Sequence, residues 1–253
     1  LELKSTLYRW LKHEVAVEIE AVLPELGQIA DLLVEGRLAL EVQCSSLSIQ
    51  RLQERTKAYQ DQSIEVLWLL GKDLWIKEKL TALQKQFLRF SQNIGFHLWE
   101  MDLDKQVLRL RYLIHEDCHG QVQCLTKAFP FEKRSLLAIL RQPYLSQPLL
   151  SFQGRMDQQL GRYIAQQLYY QAPKWMELQR QAYEKGENLL AQPLEYFYPQ
   201  VRLPQSPIGF AQIRENLDSY YPDFSDYYQK LQNKRVQHLY SPAFYRQESQ
   251  SHL

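Results

Sequence analysis

Residues 64–71, IEVLWLLG, form a continuous apolar run closed by Gly71. Such a run marks a strand covered on both faces, so the rest of the chain has to supply layers on either side of a sheet. Ahead of it, QIADLLV and RLALEVQ read as two strands around Glu35-Gly36, a two-residue connection that closes a tight hairpin. Ser45 to Ser48 then give a polar start to IQRLQERTKAYQDQ, which holds good helix formers and no Pro or Gly, and a helix is expected over about 48–62. Further upstream EVAVEIEAV alternates, with Val15, Val17 and Ile19 on one side and Glu14, Ala16, Glu18 and Glu20 on the other, until Pro24 interrupts it. Leu3, Leu7, Trp10 and Leu11 stand at helical spacing, with Lys4, Arg9 and Lys12 away from that stripe. The order is helix, strand, strand, strand, helix, strand, an α/β pattern.

Beyond it, the spacing of Leu80, Leu83, Phe87 and Phe90 predicts a helix between Trp75 and Asn93. Alternation then predicts a three-stranded meander with turns near Asp102 to Lys105 and at His119-Gly120. After Phe131 the chain reads as mostly helical, broken at Pro143, Pro148, Pro173, Pro193, Pro199, Pro204 and Pro207. A soft boundary near residue 93 divides it into 1–93 and 94–253. The 253 residues, 45% hydrophobic, are ample for a buried core, and the net charge of +1 supplies no global basic field for nucleic acid. Three cysteines, Cys44, Cys118 and Cys124, suit a reducing compartment better than a disulfide scaffold. No apolar run approaches the roughly 18–20 residues that span a bilayer, so a cytoplasmic protein without membrane insertion is expected. A chain that opens on Leu1 inside a helical pattern is expected to have further sequence ahead of it.

Period-two geometry sets the chemistry. In RLALEVQ, Ala39, Glu41 and Gln43 share one face, opposite Leu38, Leu40 and Val42. Hairpin pairing can bring Asp31 near Glu41, and Glu18 or Glu20 can complete an acidic cluster. Clustered, partly buried carboxylates repel and resist desolvation, so they need a cation or protonation. All-oxygen donors favour Mg²⁺ or Mn²⁺ over Zn²⁺. The plainer reading is that half-exposed strands present these acids to solvent.

The order Glu, Asp, then Glu-x-Gln about ten residues on resembles the PD-(D/E)XK nuclease superfamily with Gln in place of the usual Lys. More narrowly, the stretch from Asp31 to Gly71, with its E-x-Q-C-S run, R-x-x-x-Y helix and W-x-L-G strand, resembles the competence protein CoiA family, specifically over about residues 15–75. The resemblance implies a PD-(D/E)XK nuclease-like core, which the meander and the helical region read above would follow. It implies Asp31 and Glu41 as principal metal ligands, Glu20 (or Glu18) as the upstream acid, and Gln43 at the lysine position, orienting water. It also implies DNA, single-stranded or branched, as substrate in natural transformation, the recombination machinery as a partner, and a separate Cys-rich segment upstream. A neutral amide cannot supply a positive charge, so Arg55 or Lys57 on the next helix is a candidate to compensate. Two function classes follow: a metal-dependent nuclease, or a module that binds DNA or the recombinase without cutting.

Other residues carry weaker signals. Arg55 and Tyr59, four apart on one helix face, can line a DNA groove, or Tyr59 can pack on the sheet with its hydroxyl in water. Lys230, Lys234, Arg235 and Arg246, interleaved with Tyr227, Tyr228, Tyr240 and Tyr245, suit a single-strand binder or else a packed helix with a basic face. His115, Cys118, His119 and Cys124 are zinc-capable but irregularly spaced along a hairpin. Cys44 alternates to the side opposite Glu41 and reads as a small buried hydrophobe. His97 and His238 have no recognisable partners.

Overall fold

Turn chemistry fixes the hairpin around Glu35-Gly36. The computed structural model describes residues 2–117, 120–141, 149–153, 157–197, 201–233, 236–240 and 242–250. In it α1 (Glu2–Leu11) is followed by β1 (Val17–Leu23), β2 (Gln28–Val34) and β3 (Leu38–Gln43). Glu35 and Gly36 both take positive φ, 48° and 66°, and Arg37 N–H donates to Val34 O at 3.0 Å. Paired left-handed residues match the twist of the strands they join. Next, α2 (Ile49–Asp61) starts at Ser48, whose side chain accepts from Arg51 N–H, and leads to β4 (Glu65–Leu70), parallel to β3. The expected order of elements is present.

Two apolar layers enclose this sheet. On one face Leu7, Trp10 and Leu11 of α1 pack with Leu32, Leu40, Leu67 and Leu69. On the other, Leu52 and Tyr59 of α2 pack with Leu33, Ala39, Val66 and Trp68. Successive β4 residues alternate between the two cores, which is why that strand carries no polar position after Glu65. Gly71 ends it where β3 and β4 converge: a Cβ there would lie 2.9 Å from Cys44 Sγ and 3.2 Å from Cys44 Cα. Gly71→Ala is therefore expected to cost about 1–3 kcal/mol through overpacking, seen as a lower urea midpoint. An unchanged midpoint would show that the strand ends relax freely.

The helix expected over 75–93 shrinks to α3 (Ala82–Gln86), begun by a reciprocal Thr81–Gln84 capping box. Gln84 also donates from its amide to Leu74 O and Trp75 O, holding the preceding segment outside the helix. Phe90 lies not on a helix but in β5 (Arg89–Ser91), paired with β6 (Gly95–Asp102), so sheet pairing overrides the helical spacing. The meander forms as β6, β7 (Val107–Glu116) and β8 (Val122–Pro130). It extends the same eight-stranded sheet, in the order β1-β2-β3-β4-β6-β7-β8 with β5 on β6. The boundary expected near residue 93 thus falls between two strands that pair with each other.

The remainder comprises α4 (Leu136–Arg141), β9 (Leu149–Gln153), α5 (Leu160–Tyr169), α6 (Pro173–Glu184), α7 (Leu194–Phe197), α8 (Tyr220–Lys230), β10 (Val236–Leu239) and α9 (Pro242–Gln250). β9 and β10 pair antiparallel, an element that the helical reading of this region missed. Pro173 opens α6, whereas Pro143, Pro148 and Pro199 lie outside the described residues. α5 and α6 share a small core of their own with Leu189 and Phe197. Leu203, Leu217, Tyr220 and Phe224 instead join the core on the α2 face. Buried Gln86 anchors that return by donating to Ser206 Oγ and Gly209 O. Among the described residues no helix is long and apolar enough to cross a membrane.

Candidate active site

The three acids singled out from sequence fall on one rung. β1 and β2 pair with Ile19 opposite Leu32 and Ala21 opposite Ala30, so Glu20 and Asp31 fall together between these pairs, where the ladder is interrupted. Glu18 is opposite Leu33, and this register separates the two upstream candidates in favour of Glu20 as Asp31's neighbour. The β2–β3 ladder ends at Leu32 opposite Leu40, making Asp31 and Glu41 the next positions on the strands. There Asp31 replaces the backbone pairing with its side chain, Oδ2 accepting from Val42 N–H at 2.8 Å. Glu20 has φ 52°, a left-handed conformation that a non-glycine residue adopts at a cost of roughly 1–3 kcal/mol. Neighbouring carboxylates repel. The ammonium of Lys4, on α1, answers that repulsion, 2.6 Å from Asp31 Oδ1 and 3.6 Å from Glu20 Oε1. The bond to Asp31 holds the Lys4 ammonium above the usual lysine range.

Glu41 is buried, with 1% of its side chain exposed, while Asp31 is at 13% and Glu20 at 58%. Its two oxygens have separate partners on α2: Tyr59 donates its hydroxyl to Oε1, and Arg55 donates to Oε2 at 2.9 Å. Arg55 and Tyr59 thus stand side by side on one helix turn, as their spacing predicts, but both turn inward to the acid. Tyr59 is fully buried rather than holding its hydroxyl in water. Arg55 also lies over the Trp68 ring, 5.3 Å from its centroid, and Trp68 donates to Thr56 Oγ1. Burial raises the Glu41 carboxyl to about 7, against the lowering effects of Tyr59 and Arg55, with a further upward push from Asp31. Burial and the Glu41 charge push Tyr59 upward in turn.

Gln43 follows Glu41 on the same strand face, yet its amide donates to Ser45 O at 2.6 Å, committing it to the end of β3. Cys44 is exposed, not buried, because β3 ends at Gln43 and its alternation stops there. The three-way convergence of carboxylates on a metal is not found: among the described residues no group of three or more His, Cys, Asp or Glu side chains is placed to hold one. Lys4 is the residue that sequence reading passed over, since it looked like an ordinary polar-face lysine of an amphipathic helix.

The C-terminal rings form a core instead of an open stacking platform. Tyr228 and Tyr245 are buried, Tyr228 donates to His238 O at 3.0 Å, and Tyr240 stacks on Phe244 with centroids 3.9 Å apart. Lys230 is exposed at the end of α8, while Lys234 and Arg235 lie outside the described residues. Of the zinc-capable set, His115 is buried with Nδ1 against Leu113 O and Cys124 is half-buried, and Cys118 and His119 also lie outside the described residues.

No curated protein and no solved structure matches the chain. One family model does, that of the competence protein CoiA nuclease-like domain, over residues 1–143. That span takes in more than half of the chain, including the acid rung, the helix that braces it and the meander. The chain therefore belongs to the CoiA nuclease-like family of competence proteins.

Proposed function

We propose that the protein is a metal-dependent deoxyribonuclease of the PD-(D/E)XK type, acting in the cytoplasm on single-stranded or branched DNA during natural transformation. The observation that carries the reading is the rung itself: Asp31 and Glu41 at adjacent positions of two strands, one of them buried beside a guanidinium and a phenol. The donors are all carboxylate oxygens, which suit Mg²⁺ or Mn²⁺. Mg²⁺ is commonly held by one or two carboxylates, with water and a substrate phosphate completing its shell. Asp31 Oδ1 already takes a cation in the form of Lys4, and each Glu41 oxygen keeps a lone pair beyond its hydrogen bond. On this reading Asp31 and Glu41 would be the ligands, once Lys4 gives up Asp31 Oδ1, with Glu20 assisting from outside. When bound, the metal would draw charge from the scissile phosphate and lower the pKa of the attacking water. Arg55 and Tyr59 fix the Glu41 carboxylate in orientation, and Val42 N–H does the same for Asp31. Gln43 spends one amide N–H on Ser45 O, which leaves its second N–H and its carbonyl oxygen to orient water.

A second reading has an observation of its own. Every acid of the rung is already paired within the chain, so the same architecture can hold DNA or a recombinase without cutting. Labelled single-stranded and branched DNA incubated with Mg²⁺, Mn²⁺ or EDTA tells the two apart. Cleavage that needs metal and disappears in Glu41→Ala supports the nuclease. Metal-independent binding without cleavage, equal in both proteins, supports the module.

A further inference from the structure

Among the described residues at the rung, the cations in contact with the acids are Lys4 and Arg55. Arg55 is committed to buried Glu41 and to the Trp68 face. Gln43 carries no charge, and Lys57 is exposed on α2. Lys4 differs from all three. Its ammonium bridges the two more accessible acids, it retains 26% exposure, and its helix is pinned to the sheet by Leu7, Trp10 and Leu11. Resting on the nuclease reading, we propose that Lys4 is the phosphate-contacting cation of the site, supplying from α1 the positive charge that Gln43 cannot supply from β3.

Charge balance gives the reason. With Glu41 ionised, as it is above pH 7, the rung brings three negative charges, and Lys4 with Arg55 returns two positive ones. A divalent metal and one phosphodiester then leave the assembly neutral. Without Lys4 the same assembly carries a net negative charge, and the phosphate meets repulsion in a partly desolvated site. Asp31 and Glu20 hold the ammonium at the site, and α1 is pinned to the sheet by Leu7, Trp10 and Leu11, so a phosphate bound beside these acids would meet Lys4 without movement of the helix.

The test compares wild type, Lys4→Met, Lys4→Arg and Lys4→Met combined with Gln43→Lys. Cleavage of labelled single-stranded DNA is expected to fall about 100-fold in Lys4→Met, the effect of removing one electrostatic donor to a developing charge. It is expected to recover in part in Lys4→Arg and when the lysine is returned at position 43. A second readout needs no cleavage: reductive methylation of Lys4, followed by mass spectrometry with and without a short thymidine oligonucleotide in Ca²⁺, with exposed Lys12 of the same region as control. Lys4 is expected to be protected and Lys12 not. Lys4→Met cleaving at the wild-type rate overturns the proposal. So does loss of cleavage that neither rescue repairs while Lys4 stays unprotected, since that describes a structural counter-ion. If wild type itself does not cleave, the nuclease reading fails separately. Protection of Lys4 then keeps it as a phosphate contact in a binding module, and its absence removes it.

Discussion

Glu41→Gln is expected to lower DNA cleavage by roughly two orders of magnitude or more, because even outer partners of a metal site are worth about 10–100-fold, and at the same time to stabilise the fold at pH 8. The two effects have one cause. Burial raises the folded-state pKa of Glu41 to about 7, from an ordinary value of 4.5. A carboxyl raised in this way holds its proton more tightly in the folded state, so its stabilising contribution is complete below pH 4.5 and is lost as pH rises through 7. At pH 8 the wild type carries an ionised, buried carboxylate that the amide does not, a difference of about 3 kcal/mol at most. The advantage of Glu41→Gln should shrink steadily as pH falls from 8 towards 5, where wild-type Glu41 has become neutral. Urea unfolding of both proteins at several pH values reads it directly. A variant less stable than wild type at pH 8 would mean that the Arg55 and Tyr59 bonds outweigh burial.

Acid is expected to destabilise the protein through two histidines that the site does not use. His97 and His115 are buried, and desolvation lowers each from 6.5 to about 4, with Nδ1 facing Gly95 O and Leu113 O respectively. An unfolded chain binds these protons between pH 6.5 and 4 and the folded one does not, so stability falls across that window, by about 3 kcal/mol per histidine when complete. Glu41 works in the opposite direction over much of the same range, so Glu41→Gln should be the more acid-sensitive protein. Chemical denaturation from pH 7 to 4, combined with proton NMR of the imidazoles, checks this. Imidazoles titrating near 6.5 in the folded protein would contradict it.

What was legible in the sequence was whatever local period and turn chemistry determine. Alternation placed Glu41 and Gln43 on one face, and Glu35-Gly36 closed the hairpin that puts Asp31 beside Glu41. The choice between Glu18 and Glu20 was not legible, because it depends on the β1–β2 register, which is set by where the 3-10 turn at Pro24 and the left-handed Gly27 return the chain. The role of α2 was half legible: the spacing of Arg55 and Tyr59 announces a shared helix face, but not that the face turns to Glu41. Lys4 gave no signal, since its partners are 16 and 27 residues away on strands whose pairing only the fold decides. The helix expected through Phe90 failed for a related reason. Phe90 pairs with Phe96 across β5 and β6, and that long-range contact prevailed over a local spacing.

The central claim, that the acid rung is an active centre, is most directly tested with wild type and Asp31→Ala in parallel, measuring cleavage and binding of labelled single-stranded DNA in Mn²⁺ and in EDTA. Cleavage by the wild type alone, only with metal, while both proteins still bind the strand, is the predicted result. Equal cleavage by the two proteins, or binding by both with cleavage by neither, would contradict it.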